Sequence, residues 1–93
     1  MVILSGCAHA GILNTIEQAR EISGIERVHA IIGGFHLARS ESAEIDQIIA
    51  FIHALKPTIL VPCHCTGFQA MCAFARQMPE VFIPGVVGAT YLF

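Results

Sequence analysis

Apolar residues along the chain recur at two spacings, and the alternation between them divides it into strand-then-helix units. Val2 to Leu4 is a short β-prone run ended by Ser5-Gly6. From about Gly11 to Ser23, Ile12, Ile16, Ala19 and Ile22 fall at helical spacing with Glu17, Gln18, Arg20 and Glu21 outside, and Gly24 stops the helix. Val28 to Ile32 reads as a second strand ended by Gly33-Gly34. Ser40 is the expected N-cap of a second helix, with Glu41 and Glu44 in its first turn and Ile45, Ile48, Ile49, Ile52 and Leu55 as its buried stripe. Lys56-Pro57 breaks the chain, and Thr58 to Val61 is a continuous apolar run of the kind buried on both faces, which Pro62 is expected to end. A third helix opens at Thr66 or Gly67, with Phe68, Met71, Cys72, Ala75 and Met78 on one face, and Pro79 closes it. Val81 to Ile83 and Val86 to Phe93 are expected as two terminal strands split by Pro84-Gly85. The order βαβαβαββ predicts an α/β fold with a largely parallel sheet and helical crossovers, because parallel strands need long connections.

Ninety-three residues confine this pattern to a single domain spanning 1–93. With 55% hydrophobic and 13% charged residues and a mean hydropathy of +0.69, the chain carries more apolar surface than a domain of this size hides easily. A cover is therefore expected, either further copies of the chain in a homo-oligomer or a complementary segment. A membrane is not the expected cover, since no run reaches the roughly 18 apolar residues a spanning helix needs. The start, Met1-Val2-Ile3-Leu4-Ser5, has no basic region before its apolar residues, and the expected location is cytoplasmic. A net charge of −2, with five basic residues spread singly, leaves no footprint for a nucleic acid or an anionic membrane surface. Small molecules and protein partners remain. Cys7, Cys63, Cys65 and Cys72 are read as free thiols, because a C-x-C pair without a secretory signal is no disulfide framework.

Candidate chemistry sits where strands end. His9, His36 and His64 each come a few residues after an expected strand, in Ser5-Gly6-Cys7-Ala8-His9, Gly33-Gly34-Phe35-His36 and Val61-Pro62-Cys63-His64. The carboxyl ends of neighbouring parallel strands open onto one edge, where ligands bind, so three imidazoles are expected to converge there. Imidazole is the commonest protein ligand for zinc and suits iron, and three protein ligands is the usual count at a catalytic zinc. A single histidine in a turn is more often a hydrogen-bonding residue, but three in one topological place favour a site. His29 begins a strand and His53 lies near a helix C-terminus, where positive charge is favoured, so both are read as structural.

Cys63-His64-Cys65 offers three soft donors in a row. In an extended segment, however, the two thiols face one way and the imidazole the other. Cys7 and Cys72 are expected to be buried, inert thiols, while Cys63 and Cys65 stay open. Gly33-Gly34 and Gly85 build no dinucleotide or phosphate loop, and no G-x-S-x-G elbow occurs. Asp46, the sole aspartate, is read as solvated on a helix.

At these residues the chain resembles the metallo-β-lactamase fold superfamily, and within it the branch of 7,8-dihydropterin-6-methyl-4-(β-D-ribofuranosyl)aminobenzene 5′-phosphate synthase-like proteins. Gly6-Cys7-Ala8-His9-Ala10-Gly11-Ile12, Ile32-Gly33-Gly34-Phe35-His36-Leu37, Pro62-Cys63-His64-Cys65-Thr66-Gly67 and Val87-Gly88 resemble that branch's C-terminal motifs in the same order. Ala8 and Cys63 stand where the branch tends to have serine and threonine.

The resemblance implies the C-terminal half of an αββα sandwich whose complete site holds two metal ions, zinc by default and iron or manganese as the other metals. It further implies that His9 is a terminal ligand of one metal and His64 of the other. His36 stands at the turn where the superfamily's bridging aspartate is expected, and is assigned to that role. The superfamily's H-x-H-x-D-H motif belongs to the N-terminal half, and this chain has no H-x-H. The expectation is half of a metal-dependent hydrolase, acting on phosphoester, lactone or pterin-type substrates once an N-terminal half completes it, and by itself inactive, with metal binding by the isolated chain left open. The alternatives are a non-catalytic metal-binding or oligomer-forming module and an inactive remnant. Met1 directly precedes the strand before His9, which leaves a separate subunit, a truncated product and a fragment all open.

Overall fold

The computed structural model describes residues 1–93. Its elements are β1 (Val2–Ser5), α1 (Ile12–Ser23), β2 (Ala30–Gly34), α2 (Ser42–Ala54), β3 (Ile59–Cys63) and α3 (Phe68–Gln77), with one 3-10 turn over His64–Thr66 joining β3 to α3. The three strands form a parallel sheet in the order β1-β2-β3, each crossover running through a helix. This is the α/β architecture expected from the alternation of strand and helix patterns.

Register explains where the core lies. Ile3 pairs with Ile31, and Ile31 with Leu60, so these three side chains form one row across the sheet. The row is buried with Ile12 and Ile16 of α1, the Ile45, Ile48, Ile49 and Ile52 stripe of α2, and Ala70, Ala73 and Phe74 of α3, in one continuous cluster. Phe35 and Phe74, both fully buried, meet edge to face with ring centroids 5.6 Å apart. That geometry adds about 0.5–1.5 kcal/mol to the burial of the two rings. All three helices thus serve one face of the sheet. The alternate residues Val2 and Leu4 point the other way and are exposed, Leu4 at 74%.

Helix ends follow local chemistry. Gly24, at φ 70°, closes α1 with its N–H donating to the Arg20 carbonyl, the left-handed stop that glycine adopts without penalty. The N-cap of α2 is Glu41 rather than the expected Ser40, and no side chain caps it. On α3 the expected inward face is rotated. Ala70, Ala73 and Phe74 are buried, whereas Phe68 is 86% exposed and Cys72 lies at the surface. The buried face combines two alanines with Phe74, which packs on Phe35, and continues into Met78, the one residue of the expected face that lies in the core. Ile22, expected inside α1, is likewise exposed at the helix end.

The two terminal strands differ most from expectation. The first is reduced to a single parallel bridge between Phe82 and Leu60, with the Leu60 N–H donating to the Val81 carbonyl and the Ile83 N–H to the Leu60 carbonyl. Val86 to Phe93 forms no strand. Pro62 continues β3 as far as Cys63 instead of ending it, because its missing N–H faces this outer edge and not the β2 ladder. On the outer edge Pro62 therefore cannot donate to the tail; its carbonyl still accepts from the Gly85 N–H at 3.3 Å, and pairing ends there.

Candidate metal-binding edge of the sheet

Three loops leave the carboxyl ends of β1, β2 and β3 side by side, and backbone hydrogen bonds stitch them together. The Gly34 N–H donates to the Gly6 carbonyl at 2.8 Å, and the Leu37 N–H to the Cys65 carbonyl at 3.2 Å. Fully buried Thr66 supplies the third stitch, its Oγ1 accepting from the Phe35 N–H at 3.1 Å and donating to the Cys63 carbonyl at 2.8 Å. Gly34 is the residue over which the loops close. A Cβ there would lie 2.6 Å from the Gly6 carbonyl oxygen and 2.8 Å from the Cys65 Sγ.

The sequence-predicted histidines divide into two groups on this edge. His9 and His36 touch, with ring centroids 4.8 Å apart and planes tilted by 59°. Both line a pocket of about 970 Å³ whose wall also includes Asn14, Arg39, Glu44 and Cys65. His64 sits in the 3-10 turn after β3, and its donor atoms lie within 4.8 Å of the thiols of Cys7 and Cys65. Cys65 belongs to both groups and joins them. His29 lies at the opposite end of β2 with its ring 6.2 Å from that of Phe93, and His53 is in the last turn of α2.

Two thiols were therefore missed as site members. Cys7, expected as an inert buried thiol, is half-buried beside Cys65, whose thiol points at the Cys7 carbonyl oxygen at 3.5 Å. Partial burial pushes the Cys7 thiol above its ordinary pKa, and the hydrogen bond and charge of Cys65 push the same way. The extended-chain argument against Cys63-His64-Cys65 fails because the chain turns at His64, where φ is 53°. The turn brings His64 and Cys65 to one side, while Cys63 packs against Gly85, where a Cβ would meet the Cys63 Cβ at 2.5 Å. The signal that could have found Cys7 and Cys65 is the strand-end placement that singled out the histidines.

Backbone strain concentrates here as well. Of the four non-glycine residues with positive φ, Ala8, His36 and His64 are all on this edge, and Lys56 alone lies elsewhere. Such conformations cost about 1–3 kcal/mol each and persist where surrounding contacts dictate them, commonly at functional sites.

The donors suit a metal ion. Zinc takes thiolate sulfur at about 2.3 Å and imidazole nitrogen at about 2.0–2.1 Å, so three donors within 4.8 Å of one another need close by only about an ångström to share an ion.

No family model matches the chain. It is 38% identical over 82 residues to a 7,8-dihydropterin-6-methyl-4-(β-D-ribofuranosyl)-aminobenzene-5′-phosphate synthase of Methanocaldococcus jannaschii, a match covering 88% of this chain and 28% of that protein. An uncharacterised protein of the same organism is 30% identical over 87 residues, covering 94% of this chain and 32% of the relative. Among solved structures, a metal-dependent hydrolase of the β-lactamase superfamily superposes with a TM-score of 0.82 and 33% identity, over 95% of this chain and 34% of the other. In sequence and in fold the chain thus resembles part of a metallo-β-lactamase superfamily hydrolase, and it spans about a third of the length of these relatives.

Proposed function

We propose that this chain is the C-terminal portion of a metal-dependent hydrolase of the metallo-β-lactamase type, contributing His9, His36 and His64 to a metal site that the remaining portion of the fold completes. The observation that carries this reading is the contact between His9 and His36 at the mouth of a pocket on the carboxyl edge of the sheet, joined through Cys65 to His64. Zinc is the expected metal, with iron or manganese compatible with imidazole donors. A bound metal would supply Lewis acidity and lower the pKa of water at the site.

The chain's own residues hold and orient. Thr66 and Gly34 lock the three loops so that the imidazoles keep their spacing, and Arg39 and Asn14 on the pocket wall offer donors to an anionic or carbonyl-bearing substrate. Phosphoester, lactone and pterin-type substrates all fit that description. The exposed sheet face carrying Val2 and Leu4 is where the rest of the fold, or in the isolated chain a second copy, would pack.

Two measurements test the reading. Metal content of the purified chain is expected to fall when His9 or His64 is replaced by alanine, and to be unaffected by His29→Ala or His53→Ala. Hydrolysis of a generic phosphodiester is expected to need a complementary N-terminal segment, since the chain has no H-x-H. Chelator-sensitive turnover by the chain alone would refute the half-site reading and show that 93 residues suffice. Metal binding without turnover, even when complemented, would instead favour the non-catalytic metal-binding module.

A further inference from the structure

We propose that Cys7, His64 and Cys65 together form a thiolate–imidazole site for a soft or borderline cation, zinc in the first place. The inference deepens the metal-site reading above, resting on it in placing metal at this edge of the sheet and sharing His64 with it. Neither thiol is among the residues that the histidine reading uses.

Three observations carry it. First, one nitrogen and two sulfur donors lie within 4.8 Å of one another, the one group of three such donors in the chain, and it contains no carboxylate. The histidine pair His9 and His36 has no third donor at that range. Second, the backbone is shaped around the sulfurs. Gly34 leaves the space that Cys65 Sγ occupies, 2.8 Å from where a Cβ would stand, and the same missing Cβ clears the Cys7 Cα by 3.3 Å. Any other residue at position 34 would push the two cysteines apart. Third, the left-handed turn at His64 is what swings its imidazole and the Cys65 thiol to the Cys7 side of β3.

Donor chemistry sets the class of ion. Thiolate sulfur selects zinc and cuprous ion over magnesium, calcium and manganese, which prefer oxygen. Two thiolates balance the charge of a divalent ion with no acidic residue. His64 is exposed while both cysteines are half-buried, so the side facing His64 leaves a fourth position open to water or to a ligand from the pocket. Binding releases the two thiol protons to solvent and forms two metal–sulfur bonds and one metal–nitrogen bond, with no change of oxidation state.

The test is a titration of the full chain, reduced and freed of metal, with cobalt(II), read by its absorption spectrum. The expected result is a near-ultraviolet sulfur-to-cobalt charge-transfer band that saturates at one sulfur-bound ion per chain, counted apart from any ion held through His9 and His36, and is erased by zinc. Cys7→Ser, Cys65→Ser and His64→Gln should each weaken binding by about tenfold or more, since even partners behind the direct ligands are worth 10–100-fold. The His9→Ala/His36→Ala double variant should keep the band. Circular dichroism identifies any variant that fails to fold, and the band in the unaltered chain stands independently of all of them. Cobalt binding without the charge-transfer band overturns the thiolate site, and if that binding is lost in the His9→Ala/His36→Ala variant, the histidine reading survives alone. A chain that binds no cobalt overturns the thiolate site outright, leaving the histidine reading to be judged on the complemented protein.

Discussion

Replacing Thr66 with valine isolates the polar role of the residue that ties β2 to β3 beneath the candidate site. Thr66 is 0% exposed, and its Oγ1 both accepts from the Phe35 N–H and donates to the Cys63 carbonyl. Valine keeps the shape, removes both bonds and leaves the Phe35 N–H buried without an acceptor. An unsatisfied buried group costs about 1–3 kcal/mol and a lost hydrogen bond about 0.5–1.5 kcal/mol, so the variant should lose about 2–4 kcal/mol. Serine keeps both bonds and loses one methyl, at about 1 kcal/mol. A chain of this length has a total stability of about 5–14 kcal/mol, so the valine loss is a large fraction of it. At about 4–8 °C per kcal/mol for a domain of this size, valine should lower the melting midpoint by roughly 8 °C or more and serine by roughly half that. Far-UV circular dichroism during thermal and urea unfolding is the suitable assay, since the sequence has no tryptophan. Hydrophobicity alone orders the pair the other way. A valine variant as stable as the serine variant would refute the claim that this hydroxyl holds the loops.

The glycines of β2, and Gly6 just after β1, should rank by what a Cβ would meet. Gly33→Ala, at φ 137° with its Cβ 1.9 Å from the Ser5 carbonyl oxygen, combines strain of about 1–3 kcal/mol with overpacking of similar size. Gly34→Ala should suffer the overpacking alone, and Gly6→Ala, with nothing within 4 Å, should stay within about 0.5 kcal/mol in urea titrations. On α3, Phe74→Ala should cost about 3–5 kcal/mol and Phe68→Ala almost nothing, reversing the order that the sequence pattern of that helix suggests. The isolated chain should sediment as a dimer or larger, and Leu4→Lys, on the uncovered face of edge strand β1, should shift it toward monomer. A well-folded monomer of the unaltered chain at micromolar concentration would count against that.

Elements with a strong local signature were legible. The α2 stripe of isoleucines, the Gly24 stop and the three apolar strand runs each carry their own spacing or breaker, and each forms within two residues or so of its expected place. Misreadings occur where a competing surface decides. Phe68 and Cys72 satisfy helical periodicity as well as Ala70 and Phe74 do, and only the sheet's shape selects between the two faces. Val86 to Phe93 has strand composition, yet a strand requires a neighbour with free donors, and the Pro62 edge offers too few.

The sequence by itself determined the order of strands and helices and the placement of His9, His36 and His64 at strand ends, because periodicity, glycine and proline act on the chain within a few residues. The tertiary structure alone decided which of those side chains meet. Whether Cys7 lies beside Cys65 depends on the register that sets Ser5 against Gly33 and Gly34 against Cys63, and on the space Gly34 leaves between them. Whether His64 joins them depends on a single left-handed turn. Neither is a property of any local segment, since both arise from strands distant in sequence closing over the same few ångströms.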